Sequence, residues 1–299
     1  MRVDARNSTA VFLLAALLFA AGPAAAWGDL GHEVTGLIAY RHLTPKARDA
    51  LDALLASDSD PLTAADFASR TTWADKYRNS HRETAAWHFI DIEIDQPDVA
   101  AACFNFPPLA AGQAASAGPA QDCIVNKINE FFAELKNPAT PPAERLLALK
   151  FLIHFIGDLH QPLHTADHQD RGGNCVALSP SPDGHDNNLH AFWDVGAVEA
   201  LGHSAAQIAA VLDAQITMAD MQTWDSGDTH SWTTESFALG SKDVYALSQP
   251  TAALPTCQAP GAIALSAEYQ ARAAQDAALQ LKRAAIRMAG LLNNALGAN

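Results

Sequence analysis

Apolar residues recur at helical spacing along most of this chain, and β-branched runs are few, so helix is the expected element throughout. Over residues 31–42, Val34, Leu37 and Ile38 fall on one face. Thr44-Pro45 reads as an N-cap followed by proline at the first helical position, and it opens a helix over 45–55. A third helix is expected over 64–77. Over 124–136, Ile124, Ile128, Phe131, Phe132 and Leu135 form an apolar stripe. Pro141-Pro142 opens a long helix, and Pro162 stops it. Further helices are expected over 187–201, 204–218, 233–247 and 266–296. Stretches 104–121, 165–186 and 248–262 carry Gly and Pro and read as loops. They are too short for domain linkers, and no internal repeat is evident. The pattern predicts an all-α, single mainly helical domain with functional loops.

Composition adds an address. Arg2 and Arg6 precede an apolar run from Val11 to Ala21, and Ala24-Ala25-Ala26 supplies small residues for cleavage. Residues 1–26 are therefore expected to be a cleaved signal peptide, with residues 27–299 as the mature domain in the periplasm or secreted. No later apolar run is long enough to span a bilayer, so no stable membrane association is expected. The formal net charge is −14 and becomes −15 once Arg2, Arg6 and Asp4 are removed. Such a chain lacks a general basic field for nucleic acid, unless bound cations reverse the local sign. Cys103, Cys123, Cys175 and Cys257 are an even set in an exported chain, which predicts two disulfides with three pairings open.

The candidate chemistry is concentrated in Phe151-Leu-Ile-His154-Phe-Ile-Gly-Asp158-Leu-His160-Gln-Pro162-Leu-His164. Burying three imidazoles and a carboxylate among apolar residues is costly unless something pairs with them. His154 and Asp158, four apart, share a helical face, and His164 follows the helix end. His190 and Asp194 repeat that spacing. His88 lies in Trp87-His88-Phe89-Ile90-Asp91, Asp75 in Trp73-Ala-Asp75, and His32 five residues after Trp27. A new N-terminus at Trp27 would add an amine and a carbonyl as ligands. His160 points off the Asp158 face and reads as a structural hydrogen-bonding residue. His42, His81, His168, His185, His203 and His230 read as solvated. Imidazole plus carboxylate without thiolate suits zinc in a catalytic role.

These pieces resemble the S1/P1 nucleases, a family of exported zinc-dependent single-strand nucleases and 3′-nucleotidases. The matching motifs are Trp27-Gly28-x-x-Gly31-His32, Trp73-Ala-Asp75, Trp87-His88-Phe89-Ile90-Asp91 and the segment from His154 to His164. They continue through Asp170-Arg-Gly172-Gly173-Asn174, Asn188-Leu-His190-x-x-Trp193-Asp194 and Trp232-x-x-Glu235-Ser236. The resemblance implies the helical fold of the S1/P1 nuclease and phospholipase C type, with three Zn2+ in one cleft. One ion would be held by Asp75, His88, His154 and Asp158. A second would be held by the Trp27 amine and carbonyl, His32 and a bridging Asp158. The third would be held by His164, His190 and Asp194.

By the same resemblance, Asp75, Asp158 and Arg78 would serve catalysis, with Arg78 near the scissile phosphate. Phe89 would stack a base, Asp91 would hydrogen-bond its edge, and Asn174 would lie on the substrate side, supporting the third site together with Asn188. Glu235 and Trp232 read as structural. The implied substrates are single-stranded nucleic acid and 3′-nucleotides, cut at P–O3′ by a metal-activated hydroxide, and the protein would act as a monomer. Zinc-dependent phospholipase C is the nearest alternative, but it would place Glu where this chain has Asp194. A non-catalytic zinc-binding exported protein is the other alternative.

Overall fold

The computed structural model describes residues 27–103, 105–106, 109–182, 187–247 and 261–297. The expected signal segment and Cys257 lie outside the described residues. The described chain is mainly helical, with one two-stranded parallel ladder. Helix α1 (Asp29–Arg41) is followed by α2 (Pro45–Ala56), where the Thr44 hydroxyl accepts from Ala47 N as the cap. Then come α3 (Phe67–Arg70), α4 (Trp73–Arg78), α5 (Val99–Cys103) and α6 (Ile124–Lys136). Helix α7 (Pro142–Leu159) is buried continuously from Ala148 to Leu159, the mark of an element enclosed on all sides. Short helices α8 (Leu189–Ala191) and α9 (Ala197–Glu199) precede α10 (Ala205–Asp213), α11 (Met218–Trp224) and α12 (Thr229–Leu239).

Helix α13 (Ala267–Gly297) closes the fold. Its buried stripe of Ala273, Ala277, Leu281, Ala284, Met288 and Leu292 is rich in small residues, which lets neighbouring helices approach closely. It packs on α1, α2, α6, α7 and α9. Among the described residues, no helix is long and apolar enough to cross a membrane.

The expected helices 31–42, 45–55, 124–136 and 266–296 appear with small shifts at their ends. The single helix expected over 64–77 is instead two. The Thr71 and Thr72 hydroxyls donate back to Ala68 O and Ser69 O, which competes with the helical ladder and divides α3 from α4. The helix expected over 204–218 ends at Asp213, and α11 follows as a separate element. Its start is a capping box between Thr217 and Asp220. Helix α12 likewise begins earlier than expected, at a box between Asp228 and Ser231.

The ladder pairs β1 (Ile92–Glu93) with β2 (Ala166–Asp167), in register Ile92 to Ala166. Two residues per strand are too short to show a period of two, so the ladder had no signature in the sequence. Cys103 and Cys123 form a disulfide that ties α5 to the start of α6, and Cys175 is disulfide-bonded as well.

Candidate metal centre

Three groups of side chains converge near the C-terminal half of α7. His32, His154 and Asp158 form one, Asp75, His88 and His154 a second, and His164, His190 and Asp194 a third. Within each group the candidate ligand atoms all lie within 4.8 Å of one another. Asp158 is fully buried and faces two ways. Its Oδ1 is 3.2 Å from His32 Nε2, while its Oδ2 is 2.9 Å from His88 Nδ1 and 3.2 Å from His154 Nε2. Asp75 Oδ1 is 3.7 Å from both His88 Nδ1 and His154 Nε2. In the third group, Asp194 Oδ2 is 3.4 Å from His190 Nε2, and Asp194 Oδ1 is 4.0 Å from His164 Nε2. His154 stands in both of the first two groups, its ring stacked on His32 at 4.0 Å, so these distances do not divide it between them.

Main-chain carbonyls aim the imidazoles. His154 Nδ1 donates to Thr71 O at 2.7 Å, and that carbonyl lies at the break between α3 and α4. His164 Nδ1 donates to His88 O at 2.8 Å, and His190 Nδ1 to Gly172 O at 2.6 Å. Each bond fixes the ring and turns Nε2 inward, the orientation that a metal-binding histidine needs. Gly157 makes room for His32, because a Cβ there would lie 2.8 Å from His32 Nδ1. Below α4, Asp58 and Asp60 pair with Lys150, Arg70 pairs with Asp58, and Trp73 Nε1 donates to Asp60. This buried network seats α4, and hence Asp75, against α7.

Asp194 lies in a π turn, Phe192–Gly196, inside what was expected as one helix. Such a wide turn takes a carbonyl out of the regular helical ladder and is frequent at functional sites. The Asp194 carbonyl accepts from Gly28 N at 2.8 Å, which brings the backbone beside the fully buried Trp27 against this segment. Asn188 caps α8 by accepting from Ala191 N. Gln161 was not singled out from the sequence. It is fully buried, donates to Asp194 Oδ1 at 2.6 Å and accepts from Leu163 N at 2.6 Å. Its signal was its place between Asp158 and His164, in a stretch where every other polar residue already had a role.

The donor atoms fit a cation better than they fit one another. His164 Nε2 and His190 Nε2 are buried without a hydrogen-bond partner, while Asp75 Oδ1 meets Arg78 and Asp158 Oδ1 meets His32 as ion-pair contacts. Leaving polar atoms unsatisfied in such a place is costly unless a ligand fills the gap. Burial lowers His88 to about 4 and His190 to about 3, so both rings are neutral and able to ligate. Burial likewise pushes Asp194 well above the usual carboxylate range. Burial also opposes charge on His154, yet Asp158 and Asp75 carry it up to about 10. In return His154, followed by His32 and His88, holds Asp158 well below its ordinary value despite burial. The two carboxylates thus favour positive charge at this point of the cluster, as they would favour a bound cation.

Residues 27–297 match the S1/P1 Nuclease family. The chain belongs to the S1/P1 nuclease family. It is 33% identical over 175 residues to Nuclease S1 of Aspergillus oryzae, covering 58% of this chain and 55% of that protein. It is 30% identical over 170 residues to Nuclease P1 of Penicillium citrinum, covering 56% and 57%. Endonuclease 2 of Arabidopsis thaliana is 29% identical over 188 residues, covering 61% and 60%. The chain thus spans less than two thirds of the length of these relatives.

In this S1/P1 family member Arg78 adjoins the candidate metal groups. Arg78 is buried, with Nη2 2.9 Å from Asp75 Oδ1. Phe89 is half-buried and stands outside the hydrophobic cluster of the described residues, while Ile90 N donates to His164 O and holds this strand at the site. Asp91 is exposed by area, but loss of water around its carboxyl, then the charges of Asp167, Glu93 and Asp170, push it up to about 7. Asn174 donates its side-chain amide to Arg171 O.

His160 is fully buried, with Nδ1 donating to Ile156 O and Nε2 accepting from Arg287, which also pairs with Glu235. Trp232 Nε1 donates to Ser226 O. His42, His81, His168, His203 and His230 join no metal-type group among the described residues, and His185 lies outside them. His42 is not simply solvated, since it sits 2.8 Å from Asp213 Oδ1.

Proposed function

We propose that this chain is an exported zinc-dependent phosphoesterase, acting in the periplasm or as a secreted monomer. It would hydrolyse P–O3′ bonds of single-stranded DNA, RNA and 3′-nucleotides, leaving 5′-phosphate and 3′-hydroxyl ends. One observation carries this reading: eight His and Asp side chains converge in three adjoining groups of potential metal ligands. The donors are nitrogen and oxygen only, as at catalytic zinc sites.

Asp75, His88, His154 and Asp158 would hold one ion. His32, Asp158 and the freed amine and carbonyl of Trp27 would hold a second, with His164, His190 and Asp194 holding the third. Bound ions would supply an acidified water and positive charge to offset a phosphate. The two-faced contacts of Asp158 suit a bridge between the first two ions. Arg78, fixed by Asp75, would donate to a phosphate oxygen as charge develops in the transition state. Phe89 offers a ring not consumed by the core, and stacking on it requires a base free of its own helix, which favours single strands. Asp91 would bond the base edge, and Asn174 would bind on the substrate side while steadying the loop beside the third group. The acidic chain would meet a polyanion through its metals.

The test is cleavage of single-stranded DNA by protein processed to begin at Trp27, beside the same protein carrying one extra N-terminal residue. Three zincs per chain and cleavage only with free Trp27 are expected. Full zinc with no cleavage in either form, and diacylglycerol released from phosphatidylcholine, would sink the nuclease reading.

A further inference from the structure

The loop that aims His190 is held from outside the metal groups. Its backbone is left-handed at Gln169 (φ 55°), Arg171 (φ 63°), Gly172 (φ 58°) and Gly173 (φ 81°). Side-chain-bearing residues resist that conformation, so this stretch keeps its shape only where surrounding bonds impose it. Asp167 Oδ1 accepts from Asp170 N at 3.0 Å and Gly172 N at 2.8 Å. Asp170, fully buried, accepts through Oδ1 from Gly173 N at 2.8 Å and from the Tyr245 hydroxyl at 2.7 Å. Tyr245 is distant in sequence, just past a π turn, Gly240–Val244, that follows α12. The result is the Gly172 carbonyl placed 2.6 Å from His190 Nδ1. There is no slack, because a Cβ on Gly172 would collide with Leu163 O.

We propose that Asp170 and Tyr245 are positioning residues for the third metal group. By clamping residues 169–173 they hold the Gly172 carbonyl that keeps the His190 proton on Nδ1 and leaves Nε2 to ligate. This rests on the reading that His164, His190 and Asp194 bind a divalent ion. Neither residue touches substrate or metal; each acts through the loop. The Tyr245 hydroxyl donates to a carboxylate, which makes this a charge-assisted bond and a strong one. Outer bonds that orient a metal-bound histidine typically change metal affinity about 10–100-fold when lost.

The test uses the processed chain and its Tyr245→Phe variant, which keeps the ring beside His168 and removes only the hydroxyl. Zinc per chain is counted at graded free zinc, and the His190 tautomer is read from imidazole nitrogen resonances in the metal-free protein. The expected result is selective loss of one zinc, with affinity for that zinc about 10–100-fold weaker, recovery at high zinc, and a shifted His190 proton. Asp170→Ala is the second variant; it removes the acceptor of both bonds and is expected to give the same pattern. Three zincs at wild-type affinity with an unchanged His190 resonance, alongside a lower Tm, would show a merely structural bond and overturn the proposal. If wild type itself takes up no third zinc while the His190 resonance still shifts in Tyr245→Phe, the positioning role stands and the metal reading falls.

Discussion

Asp158 shows how much one side chain can decide. One carboxylate oxygen meets His32 and the other meets His88 and His154, so two groups share a single buried charge. The residue types at these positions were legible in the sequence because histidines and aspartates in apolar stretches need partners. The atoms that aim them were not, since Thr71 O, His88 O and Gly172 O are main-chain carbonyls that any residue would supply. Asp91 yields a prediction at this scale. With its carboxyl pushed up to about 7, the group is neutral below that pH and ionised above it. A neutral acid both donates and accepts, whereas a carboxylate only accepts. Guanine presents two adjacent donors on its Watson–Crick edge and adenine one donor and one acceptor. The guanine-to-adenine ratio of kcat/KM for dinucleotide substrates should therefore rise as pH passes about 7, and Asp91→Asn should flatten it. A ratio independent of pH in the unmodified protein would remove Asp91 from base recognition.

At the scale of elements, irregularities do the positioning. The break between α3 and α4 exposes the Thr71 carbonyl to His154, and the π turn at Phe192–Gly196 carries Asp194. A helix cap and an apolar stripe announced where some helices start, as at Thr44 and Ile124, because those signals are local. A π turn has no comparable signature, and the hydroxyl back-bonding of Thr71 and Thr72 competes with the ladder too finely to be read from spacing. Gly157 on α7 tests whether packing between elements sets the site. Glycine to alanine inside a helix ordinarily stabilises by about 1 kcal/mol. Here the added methyl would press on the His32 ring at 2.8 Å. Gly157→Ala should weaken metal binding about 10–100-fold, measured by zinc titration. Unchanged zinc affinity together with a raised Tm would mean that His32 has room to move.

At the scale of the whole molecule, the cluster is a burden without cations. Asp158 and Asp194 are buried in adjoining groups, with Asp75 at 12% exposure, and burial opposes charge on all three. Any ion that binds the folded form alone adds stability by mass action, roughly 4 kcal/mol at a thousand times Kd. Stripping metal with a chelator should lower Tm by on the order of 10 °C, and zinc should restore it. Identical melting curves with chelator and with zinc would mean that the groups take up no ion in the folded state.

Periodicity, caps and composition pointed to the helical class, because they report on neighbours three or four residues apart. The pairs His154/Asp158 and His190/Asp194 were visible for the same reason. Contacts across long separations were not, since spacing carries no information about them. The parallel ladder beside His164, the Gln161 bond to Asp194 and the reach of Tyr245 to Asp170 exist only once α7 is enclosed by its neighbours. Folding brings Asp75, His88 and His154 within ligand distance although they are scattered along the chain, and that convergence turns separate side chains into a candidate metal centre.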